Sequence, residues 1–453
     1  MSDSGASMER ESFPPGMHNA FVFSNLNAIS FHIVMASPMI LYAKALGASA
    51  TVLGIIAGMM PLLIIFQIPA ASYVARVGYK KFVYAGWGTR VMFIFLMGLV
   101  PLLGFFINAQ AQLGLLLFLL FAFNLSRGIS SCAWLPWITA LVPEILRGKY
   151  LARDAAYVNV GACAAFLISG FVLGEDPQAW QFAFIFIVSA VAGSWSLTFL
   201  KRIPDVEISP EARTSTQPVP WLAMLGYGPF RRLLEMNVAW SIAYGGIAAF
   251  TVAFLRSETS LAEGSILYIS SVFYIGGLSS LWLMGHRLDR VGSKPTLAVG
   301  CLVWLALIAV WTLIAGGLLE PGLSLVLALQ FVMGLAAAMV NMSNTRLAMV
   351  VIPKMGRNHF FALYSVVANV TLGLAPVGWG ILIDAFSGVT ESWGEFVWNR
   401  FSVFYACAGL VFLATLMTIR RLQEATATTT EKLIRELVMD SPQRIISYVR
   451  NRL

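Results

Sequence analysis

An arginine in the middle of a long apolar run is the first residue of this sequence that needs a chemical reason. Arg127 lies inside the run 112–140, and a charge held at mid-bilayer costs about 2.5–3.5 kcal/mol even on insertion scales. Asn124, Arg127, Ser131 and Trp134 follow one another at i, i+3, i+7 and i+10, which puts them on one face of a helix. A guanidinium forms bidentate bonds to carboxylates and phosphates. The chemistry on offer is therefore non-covalent recognition of an anionic or hydroxyl-rich group. The competing account ties the arginine to a backbone carbonyl or a neighbouring helix.

Other apolar runs carry similar polar stripes. Asn25 and His32 stand one heptad apart, with Pro38 beyond them as an expected kink. Asn237, Trp240, Tyr244 and Thr251 mark a second run, and Gln330, Asn341 and Asn344 a third, with Gly334 and Ala337 on the same face. Amides, aromatics and small residues suit a cavity that hydrogen-bonds and stacks on a polar solute; interhelical hydrogen bonding and close packing would use the same residues. His32 is the one deep titratable side chain of the first half, and imidazole can change charge near neutral pH, so a coupled proton would find a carrier there. Arg90 is expected to snorkel to headgroups, and Arg346 to snorkel or to serve as a gate.

Signatures of catalysis are missing from the chain. There is no HExxH, no GxSxG, no Asp-rich cluster and no GxxxxGK[ST] loop, so neither an enzyme nor a P-loop ATPase is expected. The cysteines, Cys132, Cys163, Cys301 and Cys407, all lie in apolar runs without CxxC or Cys/His spacing. No metal, cofactor or disulfide framework is implied.

What must position these side chains follows from composition. Hydrophobic residues make up 58% of the 453, charged residues 11%, and the mean hydropathy is +0.77. A water-facing surface needs roughly 25% charged residues. Runs long enough to cross ~30 Å of hydrocarbon fall at 19–45, 49–74, 82–107, 112–140, 153–174 and 178–200, then at 233–256, 261–285, 295–317, 322–350, 358–386 and 399–420. The expected fold is thus an all-α polytopic membrane protein of twelve transmembrane helices. A polar tail at 1–18 precedes a first bundle at 19–200. A Pro-rich linker at 201–232 leads to a second bundle at 233–420, followed by a tail at 421–453. That tail reads as basic amphipathic helix on the leaflet. The start, with Asp3, Glu9 and Glu11, reads as a disordered tail rather than a signal peptide.

Lys and Arg concentrate in alternate loops, at Arg76, Lys80 and Lys81, at Arg147, Lys149 and Arg153, through the linker, at Arg287, Arg290 and Lys294, and in the tail. The opposite loops hold Lys44, Arg256 and Arg400. This bias places both termini in the cytoplasm. It also accounts for the net charge of +8 without nucleic acid.

Two of those loops repeat. Arg76-Val-Gly78-Tyr-Lys80 matches Arg290-Val-Gly292-Ser-Lys294, and Pro143, Arg147, Ala152, Asn159 and Val160 match Pro353, Arg357, Ala362, Asn369 and Val370. Gly285, Asp289, Arg290, Gly292 and Lys294 together resemble the Gly-x-x-x-Asp-Arg-x-Gly-x-Lys/Arg loop of the major facilitator superfamily. The first copy keeps Arg76, Gly78 and Lys80 but has Ala71 and Ala75 in place of the glycine and the aspartate. Pro143–Tyr150 is similar to that family's Arg-Gly loop.

The resemblance implies two pseudo-symmetric six-helix bundles and alternating access about a midplane site lined by spans one, four, seven and ten. It makes Arg127, His32, Asn124, Trp134, Tyr244, Asn237, Asn341, Asn344, Asn159 and Asn369 the candidate solute residues. The loops carrying Asp289 and Arg147 become a cytoplasmic latch, retained best in the second half. The function it implies is secondary active or facilitative transport of a small polar solute, tilted towards an organic anion or a sugar, by a monomer in the inner or plasma membrane. A transporter-fold receptor or assembly factor, or a drug exporter, is the alternative.

Overall fold

Hydrocarbon offers backbone amides no hydrogen-bond partner, so a spanning segment must satisfy them within itself. The computed structural model accordingly consists of long helices. It describes residues 13–143, 146–206, 221–284, 291–352 and 357–424. Gly285, Asp289 and Arg290, most of the linker and the tail from 425 onward lie outside the described residues, as does the side chain of Arg147.

The helices run α1 His18–Met35, α2 Ser37–Ala45, α3 Ala50–Leu63, α4 Gln67–Val77, α5 Tyr79–Leu99, α6 Ala109–Ser131, α7 Trp134–Leu141, α8 Arg147–Leu173 and α9 Ala179–Arg202. They continue as α10 Trp221–Gly226, α11 Gly228–Tyr244, α12 Ile247–Glu258, α13 Glu263–Met284, α14 Ser293–Ala315, α15 Leu323–Val351, α16 Arg357–Ala385 and α17 Arg400–Arg420. Among the described residues, 11 helical segments are long and apolar enough to cross a membrane, and α13 occupies the remaining expected span at 261–285. The protein is an all-α polytopic membrane fold.

Several spans are broken. The first parts into α1 and α2 at Ala36, with Pro38 in the opening turn of α2, as Pro38 led us to expect. The fourth breaks at Cys132 and Ala133. The seventh breaks at Gly246, whose φ of 86° is open to glycine and costly for other residues. These last two interruptions were not anticipated.

The chain forms two compact units. The first is drawn from Met1–Pro218, Gly245–Tyr274 and Leu372–Ala385. In it α1 packs on α8 and α9, and α5 on α6 and α9. The end of α16 lies against α3 at glycines. A Cβ on Gly54 would lie 2.2 Å from the Pro376 carbonyl oxygen, and one on Gly58 would lie 2.2 Å from that of Gly373. The same contact ends on a cap: the Asp384 carboxylate accepts from Ala50 N at 2.9 Å, Thr51 N at 2.8 Å and Thr51 Oγ1 at 2.6 Å. An acidic group over the free N–H groups of a helix N-terminus is favoured by both hydrogen bonding and the helix dipole.

The second unit is drawn from Val219–Tyr244, Ile275–Thr371 and Phe386–Leu453. Its core stacks Trp304 on Phe412, centroids 5.7 Å apart, with Trp240 and Tyr244 edge-on to Trp304 at 6.3 and 5.4 Å. A short antiparallel hairpin, β1 Glu391–Trp393 and β2 Phe396–Trp398, stands between α16 and α17 where only a loop was expected. Gly394, at φ 65°, supplies its turn, and the hairpin docks through a Val397 N–H to Gly316 carbonyl bond of 2.9 Å.

The glycine contacts define a test. Gly58→Leu should destabilise the protein by on the order of 1–3 kcal/mol, the usual cost of overpacking. Gly88→Ala, where a Cβ would meet nothing within 4 Å, should leave thermal stability in detergent unchanged.

Candidate functional site

The intramembrane arginine sits in the first unit, where α6 faces α1 and α5. The Arg127 guanidinium lies over the Phe31 ring at 5.0 Å, an arrangement favourable for a cation over an aromatic face. One turn back on the same face, Asn124 is 2% exposed. Its Nδ2 donates to the Leu120 carbonyl at 2.9 Å and to Met35 Sδ at 3.4 Å, while its Oδ1 has no partner among the described residues.

Arg90 corrects an expectation. It does not snorkel: it is 3% exposed, and its guanidinium is sandwiched between Trp87 at 4.7 Å and Phe123 at 5.0 Å. Its Nε is without a partner among the described residues. A position two turns into a span can reach headgroups; the opposing signal in the sequence is Trp87, one turn away, which supplies a π face.

Trp134 stands just past the interruption at Cys132 and Ala133. It starts α7 and packs among Phe23, Trp87 and Trp137 at 5.1, 6.1 and 6.0 Å. His32 lies elsewhere in the first unit, its Nδ1 3.1 Å from the Tyr274 hydroxyl. Phe31, Phe166 and Tyr274 surround the ring at 5.4, 6.1 and 5.0 Å. Tyr274 was missed, since only the fold brings α13 beside α1. Asn159 bonds the Ala155 carbonyl of its own helix at 2.8 Å.

In the second unit the structure joins two predicted residues. Asn237 Nδ2 donates to Asn344 Oδ1 at 3.2 Å, Asn344 Nδ2 donates to Asn237 Oδ1 at 2.7 Å, and the Tyr364 hydroxyl adds a bond to Asn237 Oδ1 at 3.2 Å. This closed amide pair ties α11, α15 and α16, much as interhelical glue would. Asn341 is exposed on the surface of α15. Tyr244 stacks on Trp240 at 5.4 Å, and Asn369 bonds the Ser365 carbonyl at 2.8 Å.

The repeated loops share a backbone conformation. Gly78 and Gly292 cap the helices that follow them with φ of 90° and 96° and ψ of 151° and 164°, so both motif glycines serve a left-handed turn. Arg76 lies over Tyr73 at 6.0 Å, and Lys80 is half-buried. Lys294 Nζ donates to the Arg420 and Leu422 carbonyls at 3.0 and 2.8 Å, closing the C-terminal end of α17.

Beside it a carboxylate assigned by sequence to the tail does structural work. Glu424 accepts from Ser293 N at 3.1 Å and Lys294 N at 2.7 Å, and from Arg346 Nη1 at 2.7 Å, with its side chain 0% exposed. Arg346 also donates to Ser293 Oγ at 3.0 Å. Arg346 is therefore a strut between α15 and the start of α14, not a snorkelling residue.

A set of helices long enough to span a membrane, bearing buried arginines and amides, defines a polytopic membrane fold. Residues 238–450 match the family model described as Major Facilitator Superfamily. The match covers the second half of the chain and makes that half similar to this superfamily, in line with the resemblance read in the loop around Gly292 and Lys294. No curated relative matches the sequence. Solved structures share the fold. A variant of the nucleoside transporter NupG superposes with TM-score 0.67 at 12% identity, covering 90% of this chain and 100% of its own. A D-xylose-proton symporter gives 0.68 at 16% identity, with 91% and 98% covered. The inward-open xylose transporter XylE from E. coli gives 0.63 at 16%, with 92% and 97% covered.

Removing one partner of a buried ion pair strands the other. Glu424→Gln should therefore cost about 3 kcal/mol. Adding Arg346→Met should recover part of that loss, a non-additivity that a double-mutant cycle of thermal unfolding would measure.

Proposed function

We propose that this chain is a secondary carrier that moves a small polar solute by alternating access, as a monomer in the cell membrane with both termini in the cytoplasm. The observation that carries this reading is the set of charged and hydrogen-bonding side chains held inside apolar spans, above all Arg127, whose burial in hydrocarbon needs a functional return. The sequence holds no catalytic or nucleotide-hydrolysing motif, so the reading is of a protein that changes the position of its substrate and not its bonds. The proteins that share its fold are named as carriers of nucleosides and of D-xylose, which supports a solute of that size. The arginine tilts the reading towards an organic anion. A proton is a candidate coupling ion: His32, bonded to Tyr274 across α1 and α13, is the group we assign to it.

Reconstituting the full chain in proteoliposomes tests this directly. Counterflow across a panel of xylose, uridine, succinate and phosphate should reveal saturable uptake of one solute class. No flux for any solute would overturn the carrier reading in favour of a receptor or assembly role. Under an imposed proton gradient, His32→Gln should abolish uphill accumulation while leaving exchange at equal pH within about twofold, because the variant keeps a hydrogen-bonding group but cannot titrate. Equal loss of both activities would show His32 to be structural.

A further inference from the structure

We infer that Arg90 and Arg127 together receive the anionic group of the solute, a carboxylate or a phosphate, with Asn124 as the third polar contact. This rests on the carrier reading and names its substrate class. Two cations occupy neighbouring positions in the first unit. Arg90 lies over Phe123 at 5.0 Å, and Phe123 precedes Arg127 by one turn on α6, so both guanidinium groups address the same helical face. Among the described residues, neither arginine belongs to an ion pair; the pairs there are Arg231–Glu235, Arg256–Glu263 and Arg346–Glu424.

Aromatic faces hold these guanidinium groups in place. Trp87 and Phe123 bracket Arg90, and Phe31 backs Arg127. Such faces stabilise a cation without consuming its N–H donors. Arg90 Nε, a donor, and Asn124 Oδ1, an acceptor, are both buried without partners among the described residues. Like charges in a medium of low dielectric repel strongly, and a bound anion is the species that relieves both the repulsion and the unpartnered Arg90 Nε. Arg127 is half-buried where Arg90 is fully buried. Arg127 therefore makes first contact, and Arg90 completes the fork from behind.

Binding of radiolabelled succinate and of inorganic phosphate to the detergent-purified full chain tests the inference. The expected result is saturable binding of at least one anion, weakened at least tenfold in Arg127→Gln and in Arg90→Gln, and less in Arg127→Lys. Should Arg90→Gln fail to fold, the Arg127 pair of variants and Arg90→Lys still decide the matter. Two results would overturn it: unchanged affinity in the folded neutral variants, or binding of xylose or uridine with no anion binding at all. The second would leave the carrier reading intact. Anion binding without flux in proteoliposomes would instead sink the carrier reading and keep the site. Phosphatidylglycerol is the remaining arm. If it binds through the same arginines while succinate and phosphate do not, the site is a lipid headgroup site and the solute assignment falls.

Discussion

Every backbone polar group placed in hydrocarbon must find its partner within the protein, and the ends of helices are where that demand is hardest to meet, since the first N–H groups and last carbonyls of a helix have no partner inside it. This chain meets it with side chains from other helices. Asp384, at the end of α16, covers the opening N–H groups of α3. Glu424, just past α17, covers those of α14. Lys294, in the first turn of α14, returns the favour to carbonyls at the end of α17. A cap that is local in a soluble helix has become a tertiary contact here, so helix ends and helix packing are fixed by the same bonds.

Glycine lets those bonds form. Without apolar solvent exclusion to drive association, helices in lipid gain from close van der Waals approach, and small residues permit it. Gly54 and Gly58 of α3 meet the backbone of α16 at Pro376 and Gly373, and Gly380 of α16 meets Ala50. The Asp384 cap sits at the end of this seam, where the two backbones are already close. Cap and seam depend on each other: separating α3 from α16 would free three donors and open the glycine contact together.

Much of this was legible in the sequence, for physical reasons. Apolar length marks a span by itself, so the expected limits and the helices agree closely, from 19–45 against His18–Ala45 to 399–420 against Arg400–Arg420. Gly78 and Gly292 were legible because the loop that holds them repeats, and both adopt a positive φ that glycine tolerates. What stayed hidden depended on the third dimension. Glu424 looked like part of a polar tail until α17 brought it to the start of α14. Tyr274 meant nothing for His32 until α13 lay beside α1. The break at Cys132–Ala133 was not hidden in this way: Pro136 has no N–H for the Cys132 carbonyl four residues back.

The same demand for partners separates the polar residues of the spans into two kinds. Asn237 and Asn344 satisfy one another and take in Tyr364; Asn159 and Asn369 turn back to their own helices. Such residues are explained once the fold is known, because an amide carries donor and acceptor together and can close a ring of bonds. A guanidinium cannot, since it has five donors and no acceptor. Arg346 escapes by finding Glu424. Arg90 and Arg127 find aromatic faces, and Arg90 Nε is left without a partner among the described residues. Where spans α5 and α6 meet α1, two guanidinium groups thus rest on aromatic faces and not on a carboxylate among the described residues.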